Sequence, residues 1–137
     1  MKRTTAIAGL AVIAMAAAGC SSSGSSSTPS SGSSSGGGTV DFYSSLPMQG
    51  ASSAQTIPLV NGIKLALAQA NNKAGQWTVN YQVLDDSTAA AGKWDPGQTA
   101  ANARKVASDS KAVYYMGEFN SGASEVSIPI LNEAGIP

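Results

Sequence analysis

Two stretches of this 137-residue sequence gather the residue types that can hold a small ligand. One is Pro47-Met48-Gln49-Gly50-Ala51-Ser52-Ser53-Ala54 and the other is Gly117-Glu118-Phe119-Asn120-Ser121-Gly122-Ala123-Ser124, both rich in small side chains and hydroxyls. Small residues let a ligand approach the backbone. Free amides at a helix N-terminus, backed by the positive end of the helix dipole, form a natural site for a carboxylate. Ser121 would add a hydroxyl donor. Ordinary N-capping accounts for Asn120-Ser121-Gly122 equally well with no ligand at all.

Catalysis finds little support in the same residues. The sequence has no histidine and a single cysteine, so it lacks the commonest general base and any thiolate cluster for a metal. The stretch around Ser121 is not G-x-S-x-G, because Phe119 stands where the first glycine is required. Phe119 also replaces the middle glycine that a G-x-G-x-x-G running from Gly117 to Gly122 would need, and no G-x-x-x-x-G-K-[ST] occurs. Asp85-Asp86 could be imagined as a metal or acid–base pair, but neighbours on a strand point to opposite faces, and a solvated loop role is expected instead. No metal and no cofactor is expected. Eight basic and eight acidic side chains leave no net field to attract nucleic acid, so a ligand is recognised locally.

The elements that must position these loops follow from patterning. Val40 to Ser45 carries β-branched and aromatic residues and stops at Leu46-Pro47, which predicts a first strand. Ile57, Val60, Ile63, Leu67 and Ala70 recur at three- and four-residue spacing, predicting an amphipathic helix over Ala54 to Asn71, with Pro58 in its first turn. Trp77 to Leu84 alternates as a second strand with Asp85-Asp86-Ser87 at its end. Asp95-Pro96-Gly97-Gln98 reads as a helix start, with Asp95 as N-cap, Pro96 at the first helical position and Gln98 reaching back in a capping box. That helix is expected to run to about Asp109. Ala112 to Met116 is a third strand and Ser124 to Glu133 a third helix, which Pro129 should bend or cause to start later. The order β-α-β-α-β-α implies an α/β fold, a parallel sheet with helices on both faces. In such sheets ligands collect outside the carboxyl ends of the strands, where both loops lie.

The N-terminal third has a different character. Met1-Lys2-Arg3 is basic and Ala6 to Ala18 is an apolar run too short to span a bilayer of about 30 Å, so residues 1–19 read as a signal peptide. Ala16-Ala17-Ala18-Gly19 before Cys20 resembles a bacterial lipobox, with lipid attached to Cys20 and Ala17 in the place where leucine is usual. Residues 20–38 are then the lipidated cysteine and a tether of Ser and Gly with one Thr and one Pro, a composition that stays disordered because it has nothing to bury. Both features place residues 39–137 outside the cytoplasm, on the bacterial cell membrane.

Several segments together carry a resemblance. Leu46-Pro47-Met48-Gln49-Gly50, Val60-Asn61-Gly62-Ile63-Lys64-Leu65-Ala66, Asp85-Asp86-Ser87-Thr88, Gly117 to Ala123 and Pro129 to Pro137 are similar to the start of branched-chain amino acid ABC transporter substrate-binding proteins. The resemblance implies a two-lobed periplasmic-binding-protein-like fold, of which residues 39–137 would be the first part of lobe 1. It implies a non-enzymatic protein that binds an amino acid or amide and presents it to an ABC transporter permease. It also implies that Ser121 gives a hydroxyl, and Gly122 and Ala123 amides, to the ligand carboxylate beside Asn120. Ser52, Ser53 and Gln55 would line the rest of the pocket. The second lobe would lie beyond Pro137. Two other readings stay open: an extracellular sensor domain, which would be followed by a transmembrane or signalling segment, and a secreted α/β hydrolase, which would need a histidine downstream.

Overall fold

The computed structural model describes residues 36–137. The expected signal peptide, Cys20 and the tether through Ser35 lie outside these residues.

Three of the strands assemble as their patterning predicts. β1 (Thr39–Leu46) is central and pairs in parallel with β3 (Trp77–Asp85) on one side and with β6 (Ala112–Met116) on the other. Between β1 and β3 runs α1 (Ser53–Gln69), preceded by one 3-10 turn at Gly50–Ser52. Pro58 therefore falls at the sixth helical position, past the first turn in which it was expected. A short β2 (Lys73–Ala74) adds antiparallel to β3 at the sheet edge and gives the order β2-β3-β1-β6. The reversal before it uses Asn71 and Asn72, both left-handed at φ 54 and 52, a conformation that asparagine tolerates better than most residues.

After β3 the chain makes a small hairpin of β4 (Ser87–Thr88) and β5 (Lys93–Trp94), then enters α2 (Pro96–Ala107). The expected cap forms: Asp95 is extended, and its Oδ1 accepts the Gln98 amide at 2.9 Å, with Pro96 opening the helix. The reciprocal half of the capping box does not form. The Asp95 amide already donates to the Asp86 carbonyl at 2.8 Å, so the Gln98 side chain turns forward and donates to Asn102 Oδ1 at 3.0 Å. α3 (Ser121–Glu133) follows β6 and begins three residues earlier than Ser124, with Pro129 inside it.

Alternation along β1 puts Tyr43 and Leu46 on opposite faces of the sheet. On the Tyr43 face, Tyr43, Leu84 and Tyr115 cluster with Ala103 and Val106 of α2 and Leu131 of α3, and the two helices pack on each other. On the Leu46 face, Leu46 and Met116 share a groove with Leu59 and Ile63 of α1. Helices thus lie on both faces of the sheet. α1 meets the sheet chiefly at β3, and of its expected apolar stripe Val60 is deeply buried while Ile57 is 44% exposed. Thr56 compensates by donating its hydroxyl to the Pro47 carbonyl, which ties the helix start to the end of β1.

Candidate functional site

The parallel strands β1, β3 and β6 all end at one edge of the sheet, and each hands the chain to a helix start through a loop. The loop after β1 is fixed by Asp85. Its carboxylate accepts the Met48 amide at 2.9 Å, the Ser87 amide at 2.8 Å and the Gln49 side-chain amide at 2.7 Å. Burial alone would push the pKa of this carboxyl up, but bonds from Ser87, Gln49 and Met48 outweigh it and hold the group below its ordinary value. Asp85 is thus a brace between two loops, not the solvated loop residue expected from sequence.

The β4–β5 hairpin stands between the two ligand-type loops. Gly50 is left-handed at φ 72, and a Cβ placed there would come within 2.0 Å of the Gly92 carbonyl oxygen. The Ala51 amide donates to that same oxygen at 3.2 Å. Two residues on, the Trp94 ring covers Gly122, where a Cβ would come within 2.7 Å of the ring edge. One short hairpin therefore contacts the 3-10 turn before α1 and the first turn of α3. The sequence offered a single clue to this role, an aromatic residue in an otherwise polar loop before the Asp95 cap.

The predicted site residues divide once placed. Asn120 occupies the N-cap of α3, but its side chain makes no capping bond. Ser121 and Gly122 are the first two helical residues, whose amides have no acceptor within the helix. Ser121 is exposed and lies one residue inside the helix, past the N-cap position that Asn120 holds. Ala123 is fully buried, and its amide donates to the Asn120 carbonyl at 2.9 Å, which removes it as a free donor. In the first loop the Ser53 hydroxyl donates to the Gly50 carbonyl at 2.8 Å. Ser52 is half-buried and lends its carbonyl to Thr56, while Gln55 is exposed on the first turn of α1. Of the carboxylate donors that the resemblance implies, the amides of Ser121 and Gly122 have no acceptor within the helix, and the Ser121 side chain is exposed. Phe119, just before them, lines a groove of about 360 Å³ with Leu46, Leu59, Ile63, Met116, Gly117 and Glu118.

Asn102, missed by sequence reasoning, and Asp86, expected to be solvated, complete the frame. Asn102 of α2 donates to Ser45 Oγ at 3.1 Å and to the Asp85 carbonyl at 2.9 Å, fastening the helix to the ends of β1 and β3. Asp86 is 0% exposed, and neither of its carboxyl oxygens has a partner. Burial, then Glu118 and Asp85, push this carboxyl well above its ordinary value. Across the gap, Tyr115 donates its hydroxyl to Glu118 Oε1 at 2.6 Å, and burial followed by the Glu118 bond raises the tyrosine in turn. Among the described residues no group of acidic, histidine or cysteine side chains could hold a metal ion.

No protein-family model matches the sequence, and no curated protein matches it significantly. Solved structures do. A candidate branched-chain amino acid ABC transporter protein from Rhodospirillum rubrum superposes with a TM-score of 0.62 at 24% identity, covering 72% of this chain and 28% of the other. A candidate leucine/isoleucine/valine-binding protein from Rhodopirellula baltica SH 1 gives a TM-score of 0.60 at 24% identity, with 72% and 26% covered. A solute-binding protein of an ABC transporter from R. palustris, solved with 4-hydroxybenzoate, gives 0.62 at 24% identity, again with 72% and 26% covered. The chain shares the fold of these binding proteins over a stretch that spans about a quarter of their length.

Proposed function

We propose that residues 39–137 form the beginning of the first lobe of an extracytoplasmic solute-binding protein, which captures a small carboxylate-bearing solute and presents it to an ABC transporter permease. The observation that carries this reading is the exposed N-terminus of α3 at the carboxyl end of the parallel sheet. There the Ser121 and Gly122 amides, the first two of the helix, have no acceptor within it, and the Ser121 side chain is exposed. Such a trio can accept one carboxylate, with the helix dipole adding to the attraction. No bond is made or broken in the solute. The fold shared with solute-binding proteins supports the same reading, and their named ligands point to amino acids or aromatic acids as the solutes to test first. A second lobe after Pro137 would close over the solute and exclude water, which a single lobe cannot do.

The test is substitution at the hydroxyl. In the full-length protein, Ser121→Ala should weaken binding of the carboxylate-bearing solute by about 1 to 2 kcal/mol, the loss of one hydrogen bond to a charged group. Titration calorimetry on both proteins measures it. Unchanged affinity would remove Ser121 from the site.

Anchoring is proposed from the sequence of residues 1–38. Cys20→Ala should block lipid attachment and move the protein from the membrane fraction to the soluble fraction, or halt its processing. Fractionation with a radiolabelled fatty acid measures both, and unchanged partition without label would rule the anchor out.

A further inference from the structure

Asp86 and Glu118 come from different loops, one after β3 and the other after β6, and their carboxyl groups lie within hydrogen-bonding reach of each other. Asp86 is 0% exposed with both oxygens unpartnered, and Glu118 keeps one buried oxygen, Oε2, that is unpartnered as well. The other Glu118 oxygen takes the Tyr115 hydroxyl at 2.6 Å. Two ionised carboxylates buried side by side would offer only acceptors to each other and would repel at low effective dielectric. A carboxyl group that keeps a proton becomes a donor and removes both penalties at once. The surroundings supply no competing cation. Asp85 adds negative charge at the end of β3, Asp95 at the start of α2 spends its carboxylate on the Gln98 amide, and β1 presents the neutral Ser45. Lys93 of β5 is exposed, and among the described residues neither carboxyl of the pair receives a bond from a lysine or arginine.

We propose that Asp86 keeps its proton at neutral pH and donates it to Glu118, and that this proton bridge clamps the loop carrying Asn120 and Ser121 to the end of β3. The Tyr115 hydroxyl holds Glu118 in place for it, and the buried Asn120 Oδ1, also unpartnered, lies in the clamped segment. The consequence for solute binding rests on the function proposed above. The bridge itself does not, because it is present in the empty protein. Both Asp86 and Glu118 are positioning residues.

The experiment counts protons. A group held protonated in the fold and ionised when unfolded releases its proton on unfolding, and the sign is fixed because the folded carboxyl sits above its ordinary value. The 137 residues contain no histidine, so no other side chain of this segment with an ordinary value titrates between pH 6 and 7. Calorimetric unfolding of the ligand-free full-length protein at pH 6 to 7, repeated in buffers of different ionisation enthalpy, should show about one more proton released by the native sequence than by Asp86→Asn. Asp86→Ala is the second variant, should Asp86→Asn not fold, and it should show the same deficit. Equal release from the native protein and a folded variant would overturn the bridge. A deficit as expected, in a protein that binds no carboxylate-bearing solute, would overturn the proposed function and leave the bridge standing.

Discussion

Replacing Gly50 by alanine should cost the fold about 2 to 4 kcal/mol, a drop of roughly 10 °C or more in Tm for a domain of this size. Two penalties combine. The residue is left-handed at φ 72, which an L side chain adopts at a cost of about 1 to 2 kcal/mol. The new Cβ would also sit 2.0 Å from the Gly92 carbonyl oxygen, so the hairpin must move off the 3-10 turn that starts α1. A control separates the two causes. Gly75 is left-handed at φ 59 with open space where a Cβ would go, so Gly75→Ala should show the backbone penalty alone. Thermal unfolding of both variants measures the difference. Equal losses would mean that the contact between Gly50 and Gly92 does not constrain the loop.

Asn102→Ala should be nearly as damaging, at about 2 to 4 kcal/mol, although asparagine on a helix seldom matters so much. Asn102 is buried and bonds at once to Ser45 Oγ, the Asp85 carbonyl and the Gln98 side chain. Alanine leaves the first two of these groups without their partner in a region closed to water, and each buried unmet group costs about 1 to 3 kcal/mol. Denaturant titration reads the loss as a lower midpoint with an unchanged slope. A loss below about 0.5 kcal/mol would show that water replaces the side chain and that α2 is not fastened through it.

These two residues mark where the sequence stopped being legible. The three main strands and three helices could be read from alternation, helical spacing and the Asp95-Pro96 start, because those signals are local. The paired loops at the strand ends followed from the same order of elements. The β4–β5 hairpin could not be read, since two-residue strands leave no periodic trace, and with it went the packing of Trp94 on Gly122 and of Gly92 on Gly50. α3 starts three residues before the expected Ser124 and holds Pro129 in its interior, whereas the proline argues for a bend or a later start. The resemblance makes Ala123 an amide donor and Ser53 part of the pocket lining, yet the Ala123 amide and the Ser53 hydroxyl both bond locally, a matter of helix-turn geometry that residue type does not reveal. Asp85 and Asp86 were read as a solvated pair. Their burial is set by Met48, Gln49 and Glu118, residues about 30 or more positions away, and no local pattern encodes that.

The central claim is that the α3 N-terminus belongs to a protein that binds a small carboxylate-bearing solute. The most direct measurement is a thermal-shift series on the full-length protein with leucine, isoleucine, valine and other amino acids, 4-hydroxybenzoate and related aromatic acids, short amides and urea. Free solute at a hundred times its Kd adds about 2.7 kcal/mol of stability by mass action, well above the resolution of such a series. The account predicts a clear rise in Tm with at least one carboxylate-bearing solute, and no rise with the amide that replaces that carboxylate. Silence across the series, or a rise that the corresponding amide reproduces in full, would contradict it.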